Sequence, residues 1–415
     1  MKVLIVTPEY PPYACGGGGA VAQMIAQGLA KKGHKITVMS GYYPKKMLNE
    51  RPHKNWDEEI GIIWIPLMRM METKFPQLRG SMPPNPPSLL FLKTKDYAEY
   101  DVIHLCAFGH LLIDYVNLVA KNPRKILTIH AFPKYVEKGG GASFPLRLLY
   151  RIYYRTLGIN TLKSAKAITS VSKFTARECV ERGIPENKIV VIENGIDLEK
   201  YKPVNYDELE QKFHLQKEDV VILSISRVTW YKGYEYALKA IYEVVKASNK
   251  SIKYMIVGSI EDRNYYWKLS KQVEKLGLKN NVILSGFLNE KLKLQALSRA
   301  NIFLAPSLHE GFGLVILEAM ALGKPAIASN CEGFRCILEH MKTGILVKPA
   351  NSEEVANAIR LLLSNPDMQE KLLKNAFSEA QKYSWKKVVE RYEGLYERIL
   401  AGMYEKATRS RLNGI

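Results

Sequence analysis

The chain has 415 residues, 47% of them hydrophobic and 24% charged. That is a globular composition, long enough for two domains of about 200 residues each. Lysine and arginine number 60 against 41 acids, a formal net charge of +19, for which an anionic donor, an anionic membrane face or nucleic acid are the candidate partners, and a lysine-rich proteome with no partner the alternative. No apolar run approaches the ~18–20 residues of a membrane span. Cys15, Cys106, Cys179, Cys331 and Cys336 are odd in number and scattered, which argues against a disulfide framework or a zinc site and for small buried hydrophobes.

In chain order, Lys2–Val6 reads as a strand. The opening MKVLIVTPEYPPY lacks a signal peptide's length and cleavage site, so a cytosolic protein is expected. The glycine-rich turn TPEYPPYACGGGGA follows, then a helical pattern through Val21, Met24–Ile25 and Leu29, then a second strand at Lys35–Met39. This is the opening of a nucleotide-binding-like half. No GK[ST] follows the glycines, so it is not a P-loop, and no G-x-G-x-x-G with a later acid supports dinucleotide binding. Tyr42–Pro87 reads as irregular, with a proline-rich MPPNPPS at Met82–Ser88. Trp64, Leu67, Met68, Met70, Met71 and Leu89–Leu92 are expected to be exposed. Loops this long are usually functional or disordered. Asp101–Cys106 and Lys125–Ile129 read as buried parallel strands. His130 ends the second, at the strand end where open α/β sheets bind ligands; a satisfied structural histidine is the alternative.

Residues 134–166 are strongly basic: Lys134, Lys138, Arg147, Arg151, Arg155, Lys163 and Lys166 stand against Glu137 alone. The arginines at every fourth position form one stripe on a helix. Leu146, Leu149–Tyr150, Tyr153–Tyr154 and Leu157 form an apolar, aromatic stripe beside it. Such a helix can lie on an anionic bilayer; a core-packed helix with solvated arginines is the alternative. No nucleic-acid-binding motif accompanies the charge. Ala167–Val171, Thr175–Arg182 and Ile189–Ile192 form another β–α–β unit, leading to ENGID at Glu193–Asp197 and a polar stretch, Leu198–Asp219. Alternation then restarts with a strand at Val220–Ser226. The loop after it, RVTWYKG, carries Arg227 and Lys232, two cations able to neutralise a diphosphate.

The most informative stretch is Pro306–Pro325, PSLHEGFGLVILEAMALGKP. A buried strand, Ile302–Ala305, precedes it, and a helical pattern follows Gly313. Glu310 and Glu318 thus bracket a glycine turn that opens a helix. Glycines admit a ligand close to the backbone, and free helix N–H groups favour an anion. Phosphates would meet the amides and sugar hydroxyls the carboxylates, which suits a nucleotide sugar; a plain strand–turn–helix unit with two solvated glutamates is the alternative.

The pattern PS-x-x-EGFGL-x-x-x-EAMA-x-G-x-P resembles the E-x7-E signature of the retaining glycosyltransferases of family 4, which have the GT-B fold. The resemblance covers nearly the whole chain. It implies an α/β protein with two Rossmann-like α/β/α domains whose parallel sheets face an interdomain cleft. The acceptor-side domain would be residues 1–200 plus the C-terminal helix 386–415, and the nucleotide-sugar domain residues 201–385. It implies that Glu310 contacts the donor sugar, Glu318 the ribose, and the amides of Gly311, Phe312, Gly313 and Leu314 the sugar and phosphates. Arg227 and Lys232 match the R-x-x-x-x-KG pair for the diphosphate, and Gly286–Phe287 a turn that contacts the base. Gly16 and Gly17, with Gly18 beside them, match a loop near donor and acceptor, and His130 a histidine near the reacting sugar carbon. His130, Glu310, Arg227 and Lys232 are the expected catalytic group. ASNCEGFRC departs from the usual SN-x-GG-x-PE: Glu332, Arg335 and Cys336 replace glycine, proline and glutamate.

The implied function is hexosyl transfer, with retention, from a nucleotide-diphosphate sugar to a hydroxyl acceptor, through an ion-pair-like transition state. The basic helix favours a lipid-linked or cell-envelope acceptor and a peripheral membrane contact through residues 134–166. A soluble sugar, sugar phosphate or glucan, as in glycogen, trehalose or sucrose-type synthases, is the alternative acceptor. No D-x-D motif is present, so neither a metal nor a cofactor is expected. A binding protein without turnover would lose His130 or Lys232. A cofactor-dependent phosphorylase would need a pyridoxal-phosphate lysine, for which no motif matches, and an epimerase would lack E-x7-E.

Overall fold

The computed structural model describes residues 1–12, 17–42, 60–68, 83–132 and 144–403, without the side chains of 144–147 and 150. The expectations for Cys15, Gly16, Met70, Met71, Lys134, Glu137, Lys138 and the side chains of Leu146, Arg147 and Tyr150 lie outside the described residues. The chain divides into two compact units, Met1–Gly195 with Trp385–Ile415, and Ile196–Ser384.

The first unit holds a seven-stranded sheet in the order β3-β2-β1-β4-β5-β6-β7. Its strands are β1 Lys2–Thr7, β2 Lys35–Tyr42, β3 Ile60–Pro66, β4 Val102–Leu105, β5 Lys125–Ile129, β6 Ala167–Ser170 and β7 Ile189–Val191. All pairs are parallel, with β1 held between β2 and β4. Val3, Leu4, Ile5 and Val6 are fully buried, as a near-continuous apolar strand in a parallel sheet with both faces covered must be.

Three expectations need correction here. Ile60–Pro66 is not irregular: its β-branched run pairs with β2 from Ile36↔Ile60 to Tyr42↔Pro66. Leu67 and Leu92 are buried, while Leu90 and Phe91 are exposed. The glycine run is not all loop either, because the helix Gly17–Lys31 begins at Gly17 and contains Gly18.

The basic segment is also built differently. The helix Phe144–Tyr153 passes into a π-helical turn, Tyr154–Gly158, and then into Ile159–Ser164. A π turn carries an extra residue, so a four-residue spacing no longer stays in line. The Tyr153 hydroxyl donates to Asp114 Oδ2 at 2.8 Å, and Tyr154 stacks edge-on to Phe108. Both tyrosines are half-buried and spend part of their surface on these contacts. Leu148, Leu149 and Ile152 are exposed instead, with Arg151 and Arg155. Among the described residues no helix is long and apolar enough to cross a membrane.

The C-terminal helix Trp385–Leu400 buries Val388, Val389, Tyr392, Leu395, Tyr396 and Ile399 in the first unit. It also completes a polar network under the sheet. Tyr396 Oη meets His104 Nδ1 at 2.6 Å, and His104 Nε2 meets Thr128 Oγ1 at 2.6 Å. Tyr392 Oη reaches Thr128 at 3.3 Å. Burial, with a smaller contribution from His130, pushes the His104 imidazole down to about 3, so this network is neutral.

The second unit holds a six-stranded sheet in the order β10-β9-β8-β11-β12-β13. Its strands are β8 Val220–Ile225, β9 Ile252–Val257, β10 Val282–Gly286, β11 Ile302–Ala305, β12 Ala326–Ser329 and β13 Ile345–Val347. The order reverses between β8 and β11, and crevices outside the carboxyl ends of such a switch point are where open α/β sheets bind ligands.

Removing one hydroxyl tests the buried network. Tyr396→Phe strands His104 Nδ1 without its partner, a change worth about 1–3 kcal/mol. Urea unfolding of the variant is expected to show that loss, whereas an unchanged midpoint would mean the network does not secure the helix.

Candidate functional site

Both strands at the switch point of the second unit end in loops that carry charge. After β8 come Arg227 and a 3-10 turn, Trp230–Lys232. After β11 come Ser307–Gly313. The loops are tied by Leu308 N–H donating to Tyr231 O at 2.8 Å. Lys232 Nζ donates to Glu310 Oε2 at 2.6 Å, and Lys232 is buried. Burial works to lower the Lys232 ammonium, but the Glu310 charge outweighs it and the net shift is upward. For Glu310 burial works upward, and the Lys232 charge wins to hold the carboxyl below its ordinary value. Both groups therefore stay ionised. Arg227 lies further out, with Nη2 donating to Tyr231 Oη at 2.8 Å and Nη1 at 3.1 Å from Glu261 Oε2.

The helix Leu314–Ala321 starts at Gly313, which has φ +99° and no side-chain cap bond. Its first amides thus have no capping side chain, the condition for anion binding at a helix N-terminus. A Cβ on Gly313 would come within 2.6 Å of the Phe334 ring. Phe334 belongs to a short helix, Glu332–Arg335, made by the segment that departs from the family pattern. There Gly333 is the position without room: its Cβ would sit 2.3 Å from Glu310 O. The segment thus keeps the glycine that lets it pack against the Glu310–Gly311 backbone, and Glu332 opens its short helix.

Glu318, one turn into Leu314–Ala321, is buried. Its Oε1 accepts from Tyr201 Oη at 2.6 Å and from Lys293 Nζ at 2.8 Å. Its Oε2 is buried with no hydrogen-bond partner among the described residues. Sequence reasoning missed Tyr201 and Lys293. Neither lies in a motif, and only the tertiary fold brings them to the carboxylate.

Gly286 ends the edge strand β10 with φ +71°, and Phe287 beyond it is 73% exposed. In the first unit, His130 follows β5. A Cβ on Gly18 would lie 3.7 Å from its ring, and its Nε2 is buried without a partner among the described residues. Burial, aided by the His110 charge and opposed by a backbone bond at Cys106, pushes its imidazole down to about 4, so it is neutral at physiological pH. Among the described residues no group of three or more His, Cys, Asp or Glu could hold a metal. Among the described residues Cys106, Cys179 and Cys331 are free thiols.

Residues 15–200 match the model of Glycosyltransferase Family 4, and residues 205–379 that of Glycosyl transferases group 1. The chain belongs to glycosyltransferase family 4. It is a nucleotide-sugar glycosyltransferase with the GT-B fold. An uncharacterized glycosyltransferase of Methanocaldococcus jannaschii is 27% identical over 96% of this chain and 98% of its own length. An N,N'-diacetylbacillosaminyl-diphospho-undecaprenol alpha-1,3-N-acetylgalactosaminyltransferase of Campylobacter jejuni is 28% identical, covering 64% of this chain and 68% of that protein. The Anabaena protein HepE, solved in complex with UDP-glucose, superposes with a TM-score of 0.76 at 21% identity, over 96% of this transferase and all of that chain.

Lys232→Met would remove the hydrogen-bonded partner of the half-buried Glu310 carboxylate, a loss of about 1–3 kcal/mol. Because Glu310 titrates below its ordinary 4.5, the stabilisation is present above that value and fades as the pH falls through the lower folded one. Urea unfolding near neutral pH is expected to show the full deficit, shrinking in acid. An equal deficit at every pH would contradict the ion pair's role.

Proposed function

We propose that this transferase moves a hexosyl unit, with retention, from a nucleotide-diphosphate sugar to a hydroxyl of a lipid-linked or cell-envelope glycan acceptor. The observation that carries the donor side is the Lys232–Glu310 ion pair, its lysine buried, at the strand switch point, next to an uncapped helix start and Glu318. In this reading the bond from the sugar's anomeric carbon to the diphosphate breaks, its electron pair leaving with the phosphate. The acceptor oxygen bonds to the same face, and its proton passes to the departing phosphate oxygen.

Negative charge grows on the diphosphate, so preorganised cations and dipoles aimed there lower the barrier most. Arg227, Lys232 and the amides of Gly311, Phe312, Gly313 and Leu314 supply them, and this charge set serves without a metal or cofactor. Glu310 orients the donor sugar, Glu318 accepts from the ribose, and Gly286 and Phe287 meet the base. Neutral His130 hydrogen-bonds the transferring sugar, and Gly16, Gly17 and Gly18 leave room for a close approach. The acceptor assignment rests on the Campylobacter relative, whose name describes transfer to an undecaprenol-linked sugar. It also rests on the exposed Leu148, Leu149 and Ile152 with Arg151 and Arg155, chemistry that suits peripheral contact with an anionic membrane face.

Thermal melting with UDP, GDP, ADP and their sugars tests the donor. A ligand at ~100 times its dissociation constant adds ~2.7 kcal/mol of stability. One nucleotide sugar is expected to raise the melting temperature of the wild type and not of Glu318→Ala; no shift with any would reject the reading. Replacing Arg147, Arg151 and Arg155 together by alanine is expected to abolish sedimentation with phosphatidylglycerol vesicles. Unchanged sedimentation would remove the membrane contact and favour a soluble acceptor.

A further inference from the structure

Tyr201 and Lys293 converge on one oxygen of Glu318 and leave the other free. Tyr201 lies in the segment that enters the second unit, where Asp197 Oδ1 accepts from the amides of Glu199 and Lys200. Lys200 Nζ is held by Glu290 at 2.7 Å and stands 5.6 Å from the Tyr201 ring centroid. Lys293 Nζ stands 5.8 Å from the same centroid, and 3.4 Å from the Tyr201 hydroxyl oxygen. The buried tyrosine thus has two ammonium groups near its ring, with its hydroxyl aimed at Glu318 Oε1 at 2.6 Å.

Protonation agrees with this geometry. Burial and then the Glu318 charge push the Tyr201 phenol far up, so it remains a donor. Burial works to lower the Lys293 ammonium, but the Glu318 and Glu290 charges outweigh it, so it remains charged. At Glu318 both donors reach Oε1. Oε2, buried and without a partner among the described residues, can only accept, and a vicinal diol offers two O–H donors to such an oxygen.

We infer that Tyr201 and Lys293 are positioning residues that lock the Glu318 carboxylate with Oε2 presented to the ribose diol, and that they set this enzyme's preference for ribonucleotide donors. The inference rests on the assignment of Glu318 to the ribose. A site built to pair with substrate hydroxyls discriminates strongly against an analogue that lacks them, because its own polar groups are then left unpaired.

The test is calorimetric titration with UDP, ADP and GDP and their 2′,3′-dideoxy counterparts. It uses wild type, Tyr201→Phe, Lys293→Met and Glu318→Ala. Wild type is expected to prefer at least one ribonucleotide over its dideoxy form by about tenfold or more. Tyr201→Phe keeps the ring. It and Lys293→Met are expected to cut that preference several-fold by weakening the ribonucleotide alone, with dideoxy affinity unchanged. Equal weakening of both forms would show a merely structural role and overturn the inference. A preference that survives in both variants but vanishes in Glu318→Ala overturns it while sparing the ribose assignment. A preference that survives in Glu318→Ala, or is missing from wild type, overturns both.

Discussion

A buried ammonium beside a half-buried carboxylate at 2.6 Å is the constraint on which the candidate site of the second unit depends. Neither Lys232 nor Glu310 can be buried alone without a large desolvation cost, and each holds the other ionised. They are 78 residues apart in sequence. Their meeting requires the loops after β8 and β11 to be neighbours, which the strand order provides at its point of reversal. Such a reversal is also where open α/β sheets bind ligands, so the ion pair and the candidate site share one cause.

The first unit handles buried polarity in another way. His104, Thr128, Thr169, Tyr392 and Tyr396 form a neutral network, with the imidazole held far below its ordinary range by burial. Such a network stabilises only when its members are satisfied. Here it ties the last helix to strands laid down far earlier in the chain. The two units thus carry charge where a charged ligand suits the site, and neutral hydrogen bonds where a helix has to be secured.

The segment Glu332–Cys336 separates sequence identity from steric need. Glutamate, arginine and cysteine stand where the family pattern has glycine, proline and glutamate. The backbone contact with Glu310 O survives because Gly333, the position with no space for a Cβ, is retained. Glu332, whose side chain is about two-fifths exposed and pairs loosely with Arg335 at 3.8 Å, occupies a position where side-chain bulk is tolerated.

Local patterns determined a good deal by themselves. Apolar runs specified the buried strands, because a parallel strand covered on both faces has little room for polar side chains. The Pro306–Pro325 stretch specified strand, glycine turn and helix, and the cations after β8 were legible as a pair. Other features depended on distant partners. Ile60–Pro66 looked irregular because an edge strand is defined by the β2 it pairs with. Tyr153 and Tyr154 read as one aromatic stripe, but in the fold Tyr153 bonds the buried Asp114 and Tyr154 packs on Phe108. Tyr201 meets Glu318 across 117 residues, and no spacing announces that contact. Sequence determines which short segments prefer strand, turn or helix, since those preferences act within a few residues. Which oxygen of Glu318 is occupied and which is left free was decided by the tertiary structure alone, because only the folded sheet order brings its donors within hydrogen-bond range.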